Sequence, residues 1–375
     1  MAPTRPNKKS KKRTETKPGN PALLLVEAAT KLQEGDLENA VSAAKKALDS
    51  TGKGGDYELA TANLLGQISV EMGEVDDARA YFLRAVELDQ DGSLDERIGG
   101  GPEKFLWLAQ LSEEGGRDSV DWFEKGAQSL RGQIQALIDL PKRNAEQEAA
   151  LEERKRKLGG TLCAVAEVYM TDLSWEADAE QRCEALITEA GLVAPDSAET
   201  WQTVANVRIS QEKTDEAKAA LARSLELWVS LPPLDPNVPD FPTRISLVRL
   251  LLEVEMEKEA IEVLERLVGD DDQSVEAWYL GGWALFIDGE KAKAKGEKSE
   301  DEEDWKTTWD TSRRWLMRCL SLYVAQEYED ERLGEHAKEL FAAINKELGD
   351  PPAEGEDDDD GWEDAGSDGD EAMEE

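Results

Sequence analysis

Gly73-Glu-Val-Asp-Asp-Ala78-Arg-Ala-Tyr-Phe82-Leu-Arg-Ala85 is the stretch whose spacing decides the fold. Ala78, Phe82 and Ala85 stand four and three residues apart, on one face of a helix, and Leu65-Gly66 places a second helix just before the break at Gly73. A small residue on such a stripe lets paired helices approach closely, and a large apolar one fills the gap to the next pair. Working outward, Gly35, Ala40, Ala44 and Ala47 lie 38 residues before Gly73, Ala78, Phe82 and Ala85. Downstream, Cys183, Ile187, Ala190 and Pro195 fill the same positions, and counting one period onward lands on Trp201. From there the register gives Ala217, Leu221 and Ser224, then Ala260, Leu264 and Leu267, then Trp278, while a weaker copy runs through Trp107, Leu108, Leu111, Val120, Phe123 and Ala127.

The pattern W-x2-L-G-x2-Y, A-x3-F, P over about 34 residues is that of the tetratricopeptide repeat, a helical hairpin that buries its apolar face only by stacking on its neighbours. An all-α tetratricopeptide-repeat α-solenoid is expected across residues 21–350, with about seven helical hairpins plus a C-terminal capping helix. The cap follows Glu327 and carries Leu333, Ala337, Leu340, Phe341 and Ile344 on one stripe. Pro232, Pro233, Pro236, Pro239 and Pro242 forbid a continuous helix and predict a loop over 231–242, between the fifth and sixth hairpins. An acidic insertion at 293–304 splits or extends the seventh hairpin, and the charged run Arg143 to Lys157 predicts unusually long helices where the third and fourth hairpins join.

The formal net charge of the 375 residues is -39. Residues 1–20 read as a mobile basic arm, and their first 18 residues contribute +6 through Arg5, Lys8, Lys9, Lys11, Lys12, Arg13 and Lys17 against Glu15. Residues 351–375 read as a disordered tail that holds thirteen acids and no Lys or Arg. Subtracting both leaves -32 on residues 19–350, so the array itself is strongly acidic. Lys8, Lys9, Lys11, Lys12 and Arg13 form a candidate import signal or nucleic-acid contact, or simply a solvated tail. The acidic tail serves solubility or transient contact with a basic client.

Catalysis finds little support. The one histidine, His336, is expected as a solvated surface residue of the cap, and no phosphate loop, metal-spaced cluster or nucleophile elbow is present. Gly99-Gly100-Gly101 lacks the Lys and Ser/Thr of a phosphate loop and reads as a linker. Cys163, Cys183 and Cys319 are spaced as packing thiols. No cofactor, metal or catalytic residue is expected, and no membrane span or signal peptide; an intracellular, monomeric protein is. The acidic body disfavours direct nucleic-acid binding, because phosphate contacts require clustered Lys and Arg. It favours a protein partner rich in those residues.

In tetratricopeptide arrays the first helix of each hairpin lines the concave face. By register the candidate client-binding residues there are Glu103, Gln110, Glu113, Glu114, Asp172, Trp175, Glu176, Glu199, Gln202, Asn206, Glu253, Glu276, Tyr279 and Trp283, none of them lysine. Carboxylates can make charge-assisted hydrogen bonds to Arg and Lys, and Trp175, Tyr279 and Trp283 can stack guanidinium groups or pack between hairpins.

The basic arm, the turns Glu34-Gly-Asp-Leu-Glu-Asn-Ala40 and Gly73-Glu-Val-Asp-Asp-Ala78, the Pro-rich interruption, Trp278-Tyr-Leu-Gly-Gly-Trp283 and the acidic tail together resemble the fungal tetratricopeptide assembly chaperones dedicated to a ribosomal protein. The resemblance is nearest to those serving large-subunit ribosomal protein four, the universal uL-four family. It implies a stoichiometric, non-enzymatic role in cytoplasm and nucleus. The chain would shield a basic rRNA-binding loop in its acidic groove and surrender the client to pre-60S particles, with the client or the N-terminal arm engaging an import receptor. Charge alone equally suits an acidic histone chaperone or chromatin scaffold. A heat-shock-chaperone adaptor would grip acidic C-terminal tails with a carboxylate clamp of Lys and Asn on its first hairpins, and here those positions hold Leu25, Ala29, Asn63 and Gln67, with no lysine, so the clamp is incomplete.

Overall fold

The computed structural model describes residues 19–296 and 304–349. The import-signal candidates Lys8, Lys9, Lys11, Lys12 and Arg13, most of the acidic insertion and the tail at 351–375 lie outside them. Among the described residues there are fifteen α-helices and no strand. The chain divides into two compact units between Pro239 and Asp240, within the Pro-rich segment.

The first unit holds α1 (Pro21–Gln33), α2 (Leu37–Thr51), α3 (Glu58–Glu71), α4 (Val75–Leu88), α5 (Glu103–Gln110), α6 (Gly116–Ile138), α7 (Ala145–Met170), α8 (Ala179–Val193), α9 (Ala198–Ser210) and α10 (Thr214–Glu226). The second holds α11 (Phe241–Glu253), α12 (Glu257–Asp270), α13 (Val275–Gly296), α14 (Asp304–Ala325) and α15 (Glu331–Leu348). Each odd-numbered helix up to α13 packs on the even-numbered helix that follows, giving seven hairpins, and α15 packs on α13 and α14. The chain is an α-solenoid of tetratricopeptide repeats with a terminal cap.

The repeat positions form the core. Ala78, Phe82 and Ala85 are fully buried, as are Ala40, Ala44, Ala47, Ala217, Leu221, Ala260, Leu264 and Leu267. Phe82 stacks on Trp107 with ring centroids 6.0 Å apart. Gly66 is required there, because a Cβ would lie 2.6 Å from the Phe82 ring. Burying one such side chain contributes roughly 1.5–3 kcal/mol. Trp201 and Trp278 perform one task in two hairpins: the indole N–H donates to the carbonyl of Pro195 at 2.8 Å and of Asp272 at 2.9 Å. All three cysteines are buried and free, and desolvation pushes the thiol of Cys163 up to about 11 and that of Cys319 up to about 12.

Turns inside the hairpins share one geometry with two chemistries. Gly35 and Gly73 take the left-handed region, at φ of 75° and 72°, and the next residue's N–H reaches back to the carbonyl of Lys31 or Ser69. Glu212 and Glu255 occupy the same place after α9 and α11, at φ of 59° and 62°, and Glu327, at 50°, repeats it between α14 and the cap. No helix crosses residues 231–240, but the loop ends two residues earlier than expected, because α11 opens at Phe241 and takes Pro242 into its first turn, where a missing N–H costs nothing; the loop exposes Leu234 while Trp228, just before it, is fully buried.

Gly99-Gly100-Gly101 lies in the connection between α4 and α5, a linker as expected, and a tightly packed one. A Cβ on Gly99 would lie 2.5 Å from the Ala60 Cα and one on Gly100 would lie 2.1 Å from the Leu94 carbonyl oxygen, so Gly99 is a close-packing point against α3 and Gly100 one against the connection itself. Behind them Lys104 is fully buried, its ammonium 2.7 Å from Asp89 and 2.6 Å from the Gly101 carbonyl. Asp89 also accepts from the backbone N–H groups of Leu94 and Gly101, so both charges are satisfied.

Candidate functional site

The candidate residues fall into three settings. The first is a cleft of about 210 Å³ in the first unit, lined by Asn63 and Gln67 of α3, Glu103 of α5, Glu153, Arg154 and Lys157 of α7, and the loop that includes Glu96. Glu103 stands at the start of α5 and pairs with Lys157. Arg154 pairs with Glu96 at 3.0 Å and donates to Gln133 at 2.9 Å. Register arithmetic placed no lysine on this face, yet α7, at 26 residues, is long enough to carry two cations into it. Asn63 donates to the Gly99 carbonyl and so is committed to the loop, which further removes it from a carboxylate clamp.

The second setting is the turn edge of the third and fourth hairpins: α5 ends at Gln110 and α7 at Met170, so Glu113, Glu114, Asp172, Trp175 and Glu176 lie in the turns beyond the first helices on which the register placed them. Glu113 and Glu114 are exposed in the α5–α6 turn beside Gln110, and Glu113 has only a loose pairing to Arg79 at 3.8 Å. Asp172 accepts from the Gly116 backbone N–H at 3.0 Å, tying the α7–α8 connection to that turn. Leu173 is buried beneath it. Trp175 is 78% exposed, and its indole N–H donates to the Asp172 carbonyl at 3.0 Å. Glu176 pairs with Arg117, which also donates to the Tyr169 hydroxyl at 2.9 Å.

The remaining residues separate by burial. On α9, Glu199 is exposed and accepts from the Ser197 hydroxyl, Asn206 is half-buried, and Gln202 is buried. Gln202 therefore faces the interior. In the second unit Glu253 is exposed at the end of α11, and Glu276 pairs with Arg249. Tyr279 and Trp283 stack at 6.1 Å and pack against the cap, where the Tyr279 hydroxyl lies 2.7 Å from His336 Nδ1 and the Trp283 ring meets the imidazole edge-on at 5.6 Å. His336 is thus a half-buried partner of two aromatics, contrary to the expectation of a solvated residue; the 57 residues between it and Tyr279 hid the contact.

Chemically, these arrangements offer carboxylates and aromatic faces. Among the described residues no group of three or more His, Cys, Asp and Glu side chains could hold a metal ion. Nor, among them, is any helix long and apolar enough to cross a membrane.

Comparison with known proteins agrees with the repeat register. The tetratricopeptide-repeat family matches residues 59–91. A protein of Emericella nidulans named "Probable assembly chaperone of rpl4" is 49% identical over 369 residues, which covers 94% of this chain and 91% of the relative. A protein of the same name from Schizosaccharomyces pombe is 34% identical over 342 residues, covering 90% and 95%. The solved structure of "Assembly Chaperone of RpL4 (Acl4) (Residues 1-338)" matches with a TM-score of 0.70 at 61% identity, over 74% of this chain and 100% of that one.

Proposed function

This chain belongs to the tetratricopeptide-repeat family whose members are named assembly chaperones of rpl4, and on that premise we propose that it is a dedicated, non-enzymatic chaperone of the large-subunit ribosomal protein of the uL-four family. The observation that carries the reading is 49% identity sustained over 94% of the chain. Its physical support is charge. A body with -32 between residues 19 and 350 is matched to an rRNA-binding segment rich in Lys and Arg.

In this reading the first-helix face and the turn edge occupy that segment as rRNA later does, keeping the client soluble until rRNA displaces the chaperone. The chaperone acts as a monomer and accompanies the client from cytoplasm to nuclear pre-60S particles. Lys8 to Arg13 or the client itself engages an import receptor.

The test is purification of the tagged full chain at moderate salt with mass spectrometry of stoichiometric partners. Ribosomal protein four in near one-to-one yield supports the reading. Histones or heat-shock chaperones in its place overturn it.

A further inference from the structure

We propose that Trp175 is an arginine-stacking platform, on which a guanidinium of an extended basic segment is held in preference to a lysine ammonium. The inference rests on the reading above and assigns one anchor within it.

Trp175 is by far the most exposed aromatic side chain among the described residues, at 78%. The turn that presents it is fixed rather than loose. Its indole N–H is satisfied by Asp172, the Asp172 carboxylate is tied to Gly116, the Ser174 hydroxyl donates to the Thr171 carbonyl at 3.0 Å, and Leu173 is buried underneath. A ring whose polar edge is used and whose backbone is pinned offers only its π faces to a partner, with little ordering to be done on binding.

The surroundings select the occupant. Asp172, Glu176 and Asp178 flank the ring in sequence, and the turn bearing Glu113 and Glu114 is held against Asp172 through Gly116. The cations of this region are already engaged. Arg117 and Arg182 each lie over the Tyr169 ring, at 5.8 and 5.7 Å, while also pairing with Glu176 and Asp178. Among the described residues no cation lies over Trp175 and no ring stacks on it. The fold therefore uses arginine–aromatic contacts at Tyr169 and leaves the neighbouring, larger ring open amid carboxylates. That combination fits a delocalised, weakly hydrated guanidinium better than a compact ammonium.

The experiment uses the full chain and two fluorescein-labelled decapeptides, (Gly-Arg)5 and (Gly-Lys)5, read by anisotropy at fixed salt, with the full-length ribosomal protein as a third probe. The wild type is expected to bind the arginine peptide roughly two- to fivefold more tightly than the lysine peptide. Trp175→Ala is expected to bring the two affinities together with an unchanged melting temperature, and Trp175→Phe to restore part of the preference. Equal affinities in the wild type, or a preference that survives Trp175→Ala, overturn the proposal. Should the wild type and Trp175→Ala show the same arginine-dependent difference yet both retain the ribosomal protein, the platform falls and the chaperone reading stands. Should the preference depend on Trp175 while neither chain holds the ribosomal protein, the reverse follows.

Discussion

In the first unit, the cleft between α3, α5 and α7 and the turn that carries Trp175 both present carboxylates but differ in what their neighbours have claimed. In the cleft, Glu103 and Glu96 meet Lys157 and Arg154, so these two carboxylates are internally neutralised. At the turn, Arg117 and Arg182 are folded over Tyr169, while Trp175, Glu113 and Glu114 remain exposed. A carboxylate is free to meet a partner's cation only where no neighbouring helix has already supplied a close one.

The sharpest way to separate the two places is stability. Asp89→Ala strands the buried Lys104 behind the cleft wall and is expected to lower the unfolding free energy by about 3–5 kcal/mol. Trp175→Ala is expected to stay within about 0.5 kcal/mol of the wild type. Urea denaturation of both variants checks this, and similar midpoints would erase the contrast.

Binding separates them next. Glu113→Gln with Glu114→Gln is expected to weaken association with a basic client by roughly three- to tenfold, mostly through the on-rate. Glu103→Gln with Lys157→Gln removes a pair without changing net charge and should leave affinity nearly unchanged. Stopped-flow titration distinguishes the outcomes, and equal losses would mean that the cleft is as available as the turn.

How far these places could be read from sequence follows from the range of each contact. Trp201 and Trp278 were reached by counting because one helical hairpin repeats its own packing, and their indoles do the same work in both copies. Lys157 meets Glu103 across 54 residues, a contact that depends on the length of α7 and on no local spacing. Tyr279 and His336 likewise meet across 57 residues, where no local spacing joins α13 to the cap. The glycines at 99–101 read as a linker and are one, but their close packing on Ala60 and Leu94 is not legible because neither is adjacent to them in the repeat pattern.

The turns supply a smaller contrast. Gly73 and Glu212 share a left-handed backbone, which disfavours a side chain by about 1 kcal/mol or more. Glu212→Gly or Glu255→Gly is expected to stabilise the chain by about 1 kcal/mol, and Gly73→Ala to destabilise it by a similar amount, read by thermal melting. Opposite signs would show that the glutamate side chains contribute packing that outweighs backbone strain.

The smallest effect concerns acid. The guanidinium of Arg208, 2.9 Å from Glu184, holds that carboxyl down to about 2 against an ordinary value of 4.5. Because the folded value is the lower one, the stability from this pair is present above about pH 4.5 and is lost as pH falls toward 2. Glu184→Gln should flatten that part of the stability–pH profile, and the pair's partial exposure keeps the change under about 1 kcal/mol.

The central claim is that an acidic repeat array holds a basic ribosomal client chiefly by charge. Its most direct test is calorimetric titration of the full chain with the purified uL-four-family protein at low and at high salt. The account predicts one-to-one binding that weakens steeply as salt rises. No binding, or an affinity indifferent to salt, would contradict it.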